Sequence, residues 1–352
     1  MIYYRDEEFR CAWAFIDFFL QDPWFRTTNI FDSNQIGKNC MIFRGQSDST
    51  WKLIPSAFRS GGLINFAPQP PTTEAARLYL RLHLHAEVRA ITIFLKAADG
   101  LGFHTPLDYT RMKDGYNIIN PASKSDEGYD GLDHNPGHCA DCKAAGPHSG
   151  PYRSRNYRRV RYAGRRRLAG TMIEAGYDCH QPFPPESLQR ATGLAQHHGV
   201  PTRFLDWSES PFVASYFAAY NASSFAGVGS GTQGQEIAVI FLSTYSLFQD
   251  TSPVLLVEAP RHENSYLLQQ KGVFTNFKKC NDFFLEHERW PSLEDYSSNQ
   301  FQLHRARLPA TEADNLLREL FDLDITRHSL MPSLSNAATA YQYAKTLYEK
   351  TR

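Results

Sequence analysis

The stretch "LAQHHGVPTRFLDWSESPFVASYFAAY", Leu194–Tyr220, contains two apolar runs separated by a dense polar segment. Gly199 and Pro201 mark a turn after the first run. Ser210 is followed by a proline, the residue pair typical of an N-cap and first helical position, so a helix is predicted from here through Ala219. The polar segment therefore has to turn the chain and end at a helix N-terminus.

The polar side chains of this segment form the main candidate site. The unpaired backbone N–H groups of a helix N-terminus favour anions, and three polar residues come directly before the predicted helix. The alternative is that these residues are caps and turn formers and that His197 is a core histidine. The candidate ligand-binding residues are Gln196, His197, Thr202, Arg203, Asp206, Trp207, Ser208 and Ser210.

A second candidate lies in "CMIFRGQ", Cys40–Gln46, where an apolar strand runs directly into Arg44. An arginine at the end of a buried strand is suited to a bidentate grip on phosphate or carboxylate. Gly45 would let a ligand approach the backbone, and Gln46 adds an amide. The alternative is an internal salt bridge from Arg44 to a carboxylate such as Asp206.

The composition is that of a globular protein, and the balanced charges exclude a strong overall electrostatic field. The chain has 352 residues, with 37 basic and 37 acidic side chains, so the net charge does not argue for nucleic acid or membrane. Apolar runs are too short and too charged to span a membrane. Without a signal peptide, the six cysteines are expected to be reduced thiols of a cytoplasmic protein.

Apolar periodicity and turn residues predict an α+β fold. Helices are predicted over 6–20, 74–98, 186–198, 210–219, 312–320 and 335–350, the first with Trp13, Ile16 and Leu20 on its apolar side. Strands are predicted over 39–43, 236–243, 253–259, 265–269 and 273–277. The interval 113–167 lacks this periodicity, and we interpret it as a surface insertion in a single domain spanning 1–352.

The insertion contains a candidate zinc loop. Cys139 and Cys142 have the C-x-x-C spacing that directs two thiolates at one metal ion, and His138 and His148 are candidate third and fourth ligands. Other residues that could complete the set are His134, Cys179 and His180. The alternative is a pair of surface thiols in a loop.

An arginine-rich segment follows, "YRSRNYRRVRYAGRRRLAG", in which tyrosines alternate with arginines and no acidic residue occurs. Arginines bind phosphates and tyrosines stack on bases, so RNA or DNA is a candidate partner. The alternatives are a solvated basic face and a docking surface for an acidic protein. The candidate nucleic-acid-binding residues are Arg153, Arg155, Arg158, Arg159, Arg161, Arg165, Arg166 and Arg167.

Four blocks together resemble the FRG-domain family, named for a Phe/Tyr-Arg-Gly motif. They are "FRGQSDSTWKLIPSAFR", "LAQHHGVPTRFLDWSESPFVASYFAA", "NSYLLQQKGVFTNF" and "DITRHSLMPSLSNAA". The third block satisfies the family spacing of an asparagine six residues before a glutamine with Asn264 and Gln270. The resemblance implies an FRG-type domain.

The order of the blocks is more distantly similar to that of arginine–serine–glutamate ADP-ribosyltransferases. That resemblance implies a split β-sheet core with flanking helices, and NAD as a substrate. Arg44 takes the position of the strand-end arginine, Ser208 and Ser210 that of the serine motif, and the segment up to Gln270 that of the glutamate strand.

This chain departs from that pattern at the third motif, because no carboxylate lies near Ser265. Glu263 comes two residues earlier, and Gln270, His197 and Asp206 are alternative replacements. The resemblance thus implies a candidate catalytic set of Arg44, His197, Ser208, Ser210, Glu263 and Gln270. It also implies NAD-binding roles for Arg44, Gly45, Gln46, Gln196, His197, Thr202, Arg203, Asp206 and Trp207.

The expected function is that of an ADP-ribosyltransferase effector or toxin that modifies a macromolecule, with nucleic acid as one candidate acceptor. By the same resemblance, such proteins serve in bacterial conflict and phage defence and have a neutralising partner. Two alternatives stay open. One is a nucleotide-binding sensor without catalysis, and the other is a protein that binds or cleaves nucleic acid through the insertion.

Overall fold

A computed structural model gives the fold of the chain. It describes residues 4–21, 25, 41–63, 76–105, 183–223, 235–259, 261, 264–297 and 301–349. The chain divides into a first unit (1–53, 205–276 and 292–352) and a second unit (54–204 and 277–291). The single domain over 1–352 stays a prediction, and the insertion over 113–167 lies outside the described residues.

The described strands are β1 (Tyr4–Glu8), β2 (Met41–Gln46), β3 (Leu205–Ser208), β4 (Glu236–Ser243), β5 (Val254–Val257), β6 (Gly272–Phe277) and β7 (Leu303–Pro309). The described helices are α1 (Ala12–Gln21), α2 (Ala76–Gly100), α3 (Glu186–His197), α4 (Pro211–Ala222), α5 (Ser265–Gln269), α6 (Cys280–His287), α7 (Ala313–Asp322), α8 (Arg327–Leu330) and α9 (Leu334–Glu349). None of these helices combines the length and the apolar character that a membrane span requires.

The first unit is built on one mixed sheet. Its described strands follow the order β1-β7-β4-β2-β3-β6-β5. β1 and β7 are parallel, whereas β4 is antiparallel to both β7 and β2, and β3 is antiparallel to β2 and β6. This architecture, a mixed sheet with helices beside it, confirms the predicted α+β class. The ADP-ribosyltransferase-like core stays a prediction.

Strand β2 lies inside this sheet and carries part of the first of the four sequence blocks. Arg44 is opposite Ile240 of β4, and on the other side Phe43 is opposite Ser208 of β3. Side chains alternate along a strand, so Phe43 and Arg44 face opposite sides. Phe43 joins the buried cluster formed with α1, α4 and α7, which directs Arg44 to the other face of the sheet.

Gly45 allows α4 to lie directly against β2. A Cβ added at this glycine would lie 2.6 Å from the amide nitrogen of Ala218, and it would be closer still to the carbonyl oxygen of Ala214. Both partners are helix backbone, which cannot move aside as a flexible side chain can. The sequence interpretation assigned the space beside this glycine to a ligand; in the structure, the space on the side of its missing Cβ is filled by α4.

The N-terminal segment differs from the predicted helix over 6–20. Residues 4–8 form β1, because Asp6 and Glu8 pair with arginines of β7; Asp6 binds Arg305 at 2.7 Å. α1 begins only at Ala12, whose amide donates to a carboxylate oxygen of Glu312 at 3.0 Å. The strand is fixed by partners about 300 residues away in sequence, which periodicity within a short window does not reveal.

The buried face of α1 also differs from the prediction. Phe15, Ile16 and Phe19 are buried, whereas Trp13 is 63% exposed and Leu20 is also exposed. Of the three predicted apolar contacts, only Ile16 is correct.

The segment over 265–269, predicted as a strand, is the short helix α5. Asn264 is its N-cap, and the side-chain Oδ1 accepts a hydrogen bond from the amide of Leu267 at 3.0 Å. The cap starts a helical turn before the chain enters β6. β6 itself confirms the strand predicted over 273–277. The five residues that follow the cap, Ser265–Gln269, are too few to show a clear helical period in the sequence.

The second unit has its own apolar core, in which α2, α3 and α6 participate. Leu84, Leu95, Leu188 and Phe284 are among its buried residues. The helices predicted over 74–98 and 186–198 are confirmed as α2 and α3.

We expect Gly45→Ala to lower the free energy of unfolding by about 1–3 kcal/mol, because the new methyl group overlaps the backbone of α4. Urea unfolding followed by circular dichroism measures the change. Gly100→Ala is the matched control: nothing lies within 4 Å of its added Cβ, so its stability should stay within about 0.5 kcal/mol of the wild type. Equal stabilities for the two variants would contradict the packing account.

Candidate functional site

Arg44 lies beside Asp206, as the salt-bridge alternative expected. Its Nη1 donates to the main-chain oxygen of Asp206 at 2.6 Å, and the same nitrogen is 3.7 Å from the carboxylate Oδ2. The Arg44 side chain is 18% exposed. Its Nε is buried and has no hydrogen-bond partner among the described residues. The guanidinium is therefore anchored through Nη1, and its Nε–H group can still donate a hydrogen bond.

Gln46, two residues further along β2, is buried. Its Nε2 donates to the carbonyl oxygen of Trp51 at 3.2 Å, while its Oε1 has no hydrogen-bond partner among the described residues. Arg44 and Gln46 are two residues apart on one strand and therefore share a face of the sheet. Each retains one buried polar atom without a partner in the described part of the chain.

The serine motif is connected to the third block by a hydrogen bond. Ser208 Oγ donates to the main-chain oxygen of Gln270 at 2.7 Å and accepts from the amide of Ser210 at 3.0 Å. Ser210 caps α4, since its side chain accepts from the amide of Val213. This confirms the N-cap predicted from sequence. Both hydroxyls thus have structural partners.

Gln270 is connected to the fourth block. Its Nε2 donates to the carbonyl oxygen of Leu330, the last residue of α8, at 3.2 Å. That helix starts with a capping box at Thr326, and Arg327 contacts the hydroxyl and the ring of Tyr220 in α4. The tail block therefore packs against α4 and the third block.

Trp207 and Thr202 have contacts that explain them as structural residues. The indole Nε1 of Trp207 donates to Thr275 Oγ1 at 2.8 Å across β3 and β6. In the second unit, Thr202 Oγ1 donates to Gln196 Oε1 at 2.7 Å and accepts from the amide of Phe204 at 3.1 Å. The last two contacts fix the turn that follows α3.

Arg203 is buried in the second unit, 1% exposed, and binds Glu87 of α2 through two nitrogens. Its Nε lies 2.8 Å from Glu87 Oε2 and its Nη2 lies 2.5 Å from Oε1. Its Nη1 donates to Asn281 Oδ1 at 3.1 Å and contacts the sulfur of Cys280. The guanidinium also lies over the ring of Phe183. These contacts use all three of its nitrogens.

The carboxylate of Glu87 stays ionised in this cluster. Burial alone raises the pKa of Glu87, but the positive charge of Arg203 and hydrogen bonds from Arg203 and His83 outweigh it and lower the pKa to about 2. His83 Nδ1 lies 2.8 Å from Glu87 Oε1. Burial raises the pKa of the Cys280 thiol, which disfavours a reactive thiolate.

His197, at the end of α3, is neutral at physiological pH. Burial lowers its pKa to about 4, and the charge of neighbouring His198 adds to the effect. A neutral imidazole can donate and accept hydrogen bonds, but it does not attract an anion. This fits the core-histidine alternative better than a cationic ligand anchor.

The structure therefore separates the predicted site residues into two groups. In the first unit, Arg44 contacts Asp206, and Ser208 contacts Ser210 and Gln270. The second unit contains the other group, Gln196, His197, Thr202 and Arg203. Sequence reasoning overlooked His83 and Glu87; their i, i+4 spacing on the apolar face of the predicted helix over 74–98 was the available signal.

Several predicted residues lie outside the described part of the chain. They are Glu263, the zinc candidates Cys139, Cys142, His138 and His148, and the whole arginine-rich segment. Among the described residues, no group of three or more His, Cys, Asp or Glu side chains could hold a metal ion. The roles assigned to the undescribed residues stay predictions.

Residues 155–226 match the family model of the FRG domain. The match supports the FRG-domain resemblance over roughly a fifth of the chain. It contains Arg203, Asp206, Ser208 and Ser210, and it excludes Arg44 and Gln270. No curated protein and no solved structure matched the chain.

Arg203→Ala should lower the free energy of unfolding by about 3–5 kcal/mol, because it leaves the buried carboxylate of Glu87 without its main partner. The control is Arg190→Ala, at an exposed position of α3, which should change stability by less than about 0.5 kcal/mol. Urea unfolding compares the two. A folded Arg203→Ala protein as stable as the control would argue for a ligand role instead.

The same cluster predicts a pH dependence. Because folding lowers the pKa of Glu87 from 4.5 to about 2, its stabilising contribution is present above pH 4.5 and is lost as the pH falls towards 2. The difference in unfolding free energy between wild type and Glu87→Gln should therefore shrink from pH 5 downwards. Unfolding at several pH values measures it, and a difference that stays constant over this range would contradict the buried ion pair.

Proposed function

We propose that the first unit binds NAD⁺ beside Arg44 and transfers its ADP-ribose to a macromolecular acceptor. One observation carries the proposal: three blocks that are remote in sequence meet on neighbouring elements of one sheet. Arg44 Nη1 lies 2.6 Å from the main-chain oxygen of Asp206, and Ser208 Oγ lies 2.7 Å from the main-chain oxygen of Gln270. β2 and β3 are directly paired at Phe43 and Ser208.

Arg44 is suited to the pyrophosphate of NAD⁺. Its side chain is part-buried, and Asp206 anchors one of its terminal nitrogens. An anchored guanidinium loses less conformational freedom when it binds phosphate, and burial strengthens the charge-assisted hydrogen bond. A ligand phosphate would compete with the 3.7 Å contact to the Asp206 carboxylate, not with the stronger bond to its main-chain oxygen.

Ser208 and Ser210 define the start of α4, a helix of 12 residues. The positive end of such a helix stabilises negative or dipolar groups. In the reaction, the bond between ribose C1′ and the nicotinamide nitrogen breaks and its electron pair stays with nicotinamide. An oxygen or nitrogen of the acceptor then bonds to C1′ and loses a proton. Polar groups held in place before the reaction stabilise such charge changes.

A nucleotide-binding sensor without catalysis is the second candidate. It is favoured by the helical form of the third block, where α5 occupies 265–269 and the Gln270 amide is bound to Leu330. A glutamate strand would be expected there in a transferase of the family that the chain resembles. Calorimetric binding of NAD⁺ without nicotinamide release would support this candidate over the first.

Arg44→Ala should weaken NAD⁺ binding about 10- to 100-fold, because it removes one charge-assisted contact worth about 1.5–3 kcal/mol. Nicotinamide release should fall at least as much. Calorimetry with NAD⁺ and release of labelled nicotinamide in the presence of cell extract measure the two effects.

The control for this prediction is Arg261→Ala, which removes another ion-paired arginine of the same unit, bound to Glu209 at 2.6 Å. It should bind NAD⁺ within about threefold of the wild type. If Arg44→Ala binds NAD⁺ as the control does, or unfolds while the control stays folded, Arg44 is a structural residue and the proposal fails.

A further inference from the structure

Gln46 carries a buried amide of which only one half is bonded. The residue is 6% exposed, and its Nε2 donates to the main-chain oxygen of Trp51 at 3.2 Å. This bond fixes the orientation of the amide, and Oε1 has no hydrogen-bond partner among the described residues. A buried acceptor without a partner costs free energy, so we expect a bound group beside it to carry a hydrogen-bond donor.

The neighbouring strand β4 does not supply this donor. Gln46 is opposite Ala238, and Arg44 is opposite Ile240. Residues that are opposite each other in a sheet have their side chains on the same face. Beside the two polar side chains, β4 therefore presents only apolar ones, and the partner of Gln46 Oε1 does not come from this strand.

Arg44 supplies the complementary group on the same face. Its Nε is a buried donor without a hydrogen-bond partner in the described part of the chain. Arg44 and Gln46 are two residues apart on β2, which is about 7 Å along a strand. The oxygens of an ionised phosphate are hydrogen-bond acceptors, so phosphate satisfies Arg44 but not Gln46. The pair matches an anion that has a hydroxyl or N–H group close beside it.

We infer that Gln46 is a specificity-determining residue of the NAD⁺ site and that its Oε1 accepts a hydrogen bond from a ribose hydroxyl, an inference that rests on the proposed function. In NAD⁺, each ribose is bonded directly to the pyrophosphate through its 5′ oxygen, whereas each base is one ring further away. With the pyrophosphate at Arg44, a ribose hydroxyl is the donor nearest to Gln46. Side-chain acceptors select ribose hydroxyls in this way in other dinucleotide-binding folds.

This role makes the site selective against a dinucleotide that lacks the hydroxyl. Without it, Gln46 Oε1 stays buried and unpaired in the complex, which penalises binding. Both riboses of NAD⁺ carry a 2′- and a 3′-hydroxyl. Four analogues, each lacking one of these hydroxyls, therefore distinguish the possible sources of the hydrogen bond.

The test measures by calorimetry the Kd of the full chain for NAD⁺ and for the four deoxy analogues. We expect one analogue to bind the wild type about 5- to 50-fold more weakly than NAD⁺, because it leaves a buried acceptor unpaired. Gln46→Met removes the acceptor at similar size. This variant should bind that analogue and NAD⁺ with Kd values equal within about twofold, since the two losses concern one interaction and are not additive.

Two further variants separate this role from the hydrogen bond to Trp51. Gln46→Glu also loses that bond but keeps an acceptor, and a charged acceptor makes a stronger hydrogen bond. Its discrimination between NAD⁺ and the selected analogue should be at least about threefold larger than that of the wild type. The matched control is Gln249→Met, at an exposed amide of the same unit whose Nε2 donates to the main-chain oxygen of Tyr245 at 3.3 Å. It should keep every wild-type Kd within about twofold.

The outcomes separate this inference from the proposed function. If the wild type binds NAD⁺ and all four analogues equally, the role of Gln46 is overturned while the proposed function stands, and this comparison needs no variant. Discrimination by Gln46→Met as strong as that of the wild type overturns it as well. If Gln46→Met does not fold, as judged by thermal unfolding, Gln46→Glu decides, and unchanged discrimination overturns the inference. If NAD⁺ does not bind the wild type, the proposed function fails and the inference fails with it.

Discussion

The close approach of α4 to β2 at Gly45 is the constraint on which the candidate site depends. With the helix backbone against this glycine, the N-terminus of α4 starts beside β3. Ser208 ends β3 and Ser210 caps α4, so the serine motif and Arg44 come from paired strands. A side chain at position 45 would push the helix away and change this arrangement. The glycine of the Phe-Arg-Gly motif is therefore explained by packing.

The polar segment between α3 and α4 contributes residues to two different parts of the structure. Arg203 and Thr202 belong to the second unit, where they fix a turn and complete a buried ion cluster with Glu87. Asp206, Ser208 and Ser210 belong to the first unit, where Ser208 and Ser210 lie at the start of α4. The density of polar residues in one short stretch thus reflects two structural environments. In the second group, Asp206 contacts Arg44 and Ser208 contacts Gln270.

Short-range sequence features, such as helix caps and apolar runs, correctly predicted the elements that depend mainly on neighbouring residues. The Ser210 cap predicted α4, and the apolar runs predicted β2, β4 and β6. The pairing of Arg44 with Asp206 was also among the alternatives. The predictions were wrong where residues distant in sequence determine the structure. β1 is a strand because its carboxylates pair with arginines of β7. Arg203 is buried because its partner Glu87 lies on a helix more than 100 residues earlier. For α5, the cap at Asn264 outweighed the strand-like composition.

The central claim is that Arg44 binds the pyrophosphate of NAD⁺. A crystal structure of the full chain soaked with NAD⁺ tests it most directly. The account predicts a pyrophosphate oxygen within hydrogen-bond distance of the Arg44 guanidinium. NAD⁺ bound elsewhere, or no NAD⁺ at saturating concentration with Arg44 still on Asp206, would contradict it.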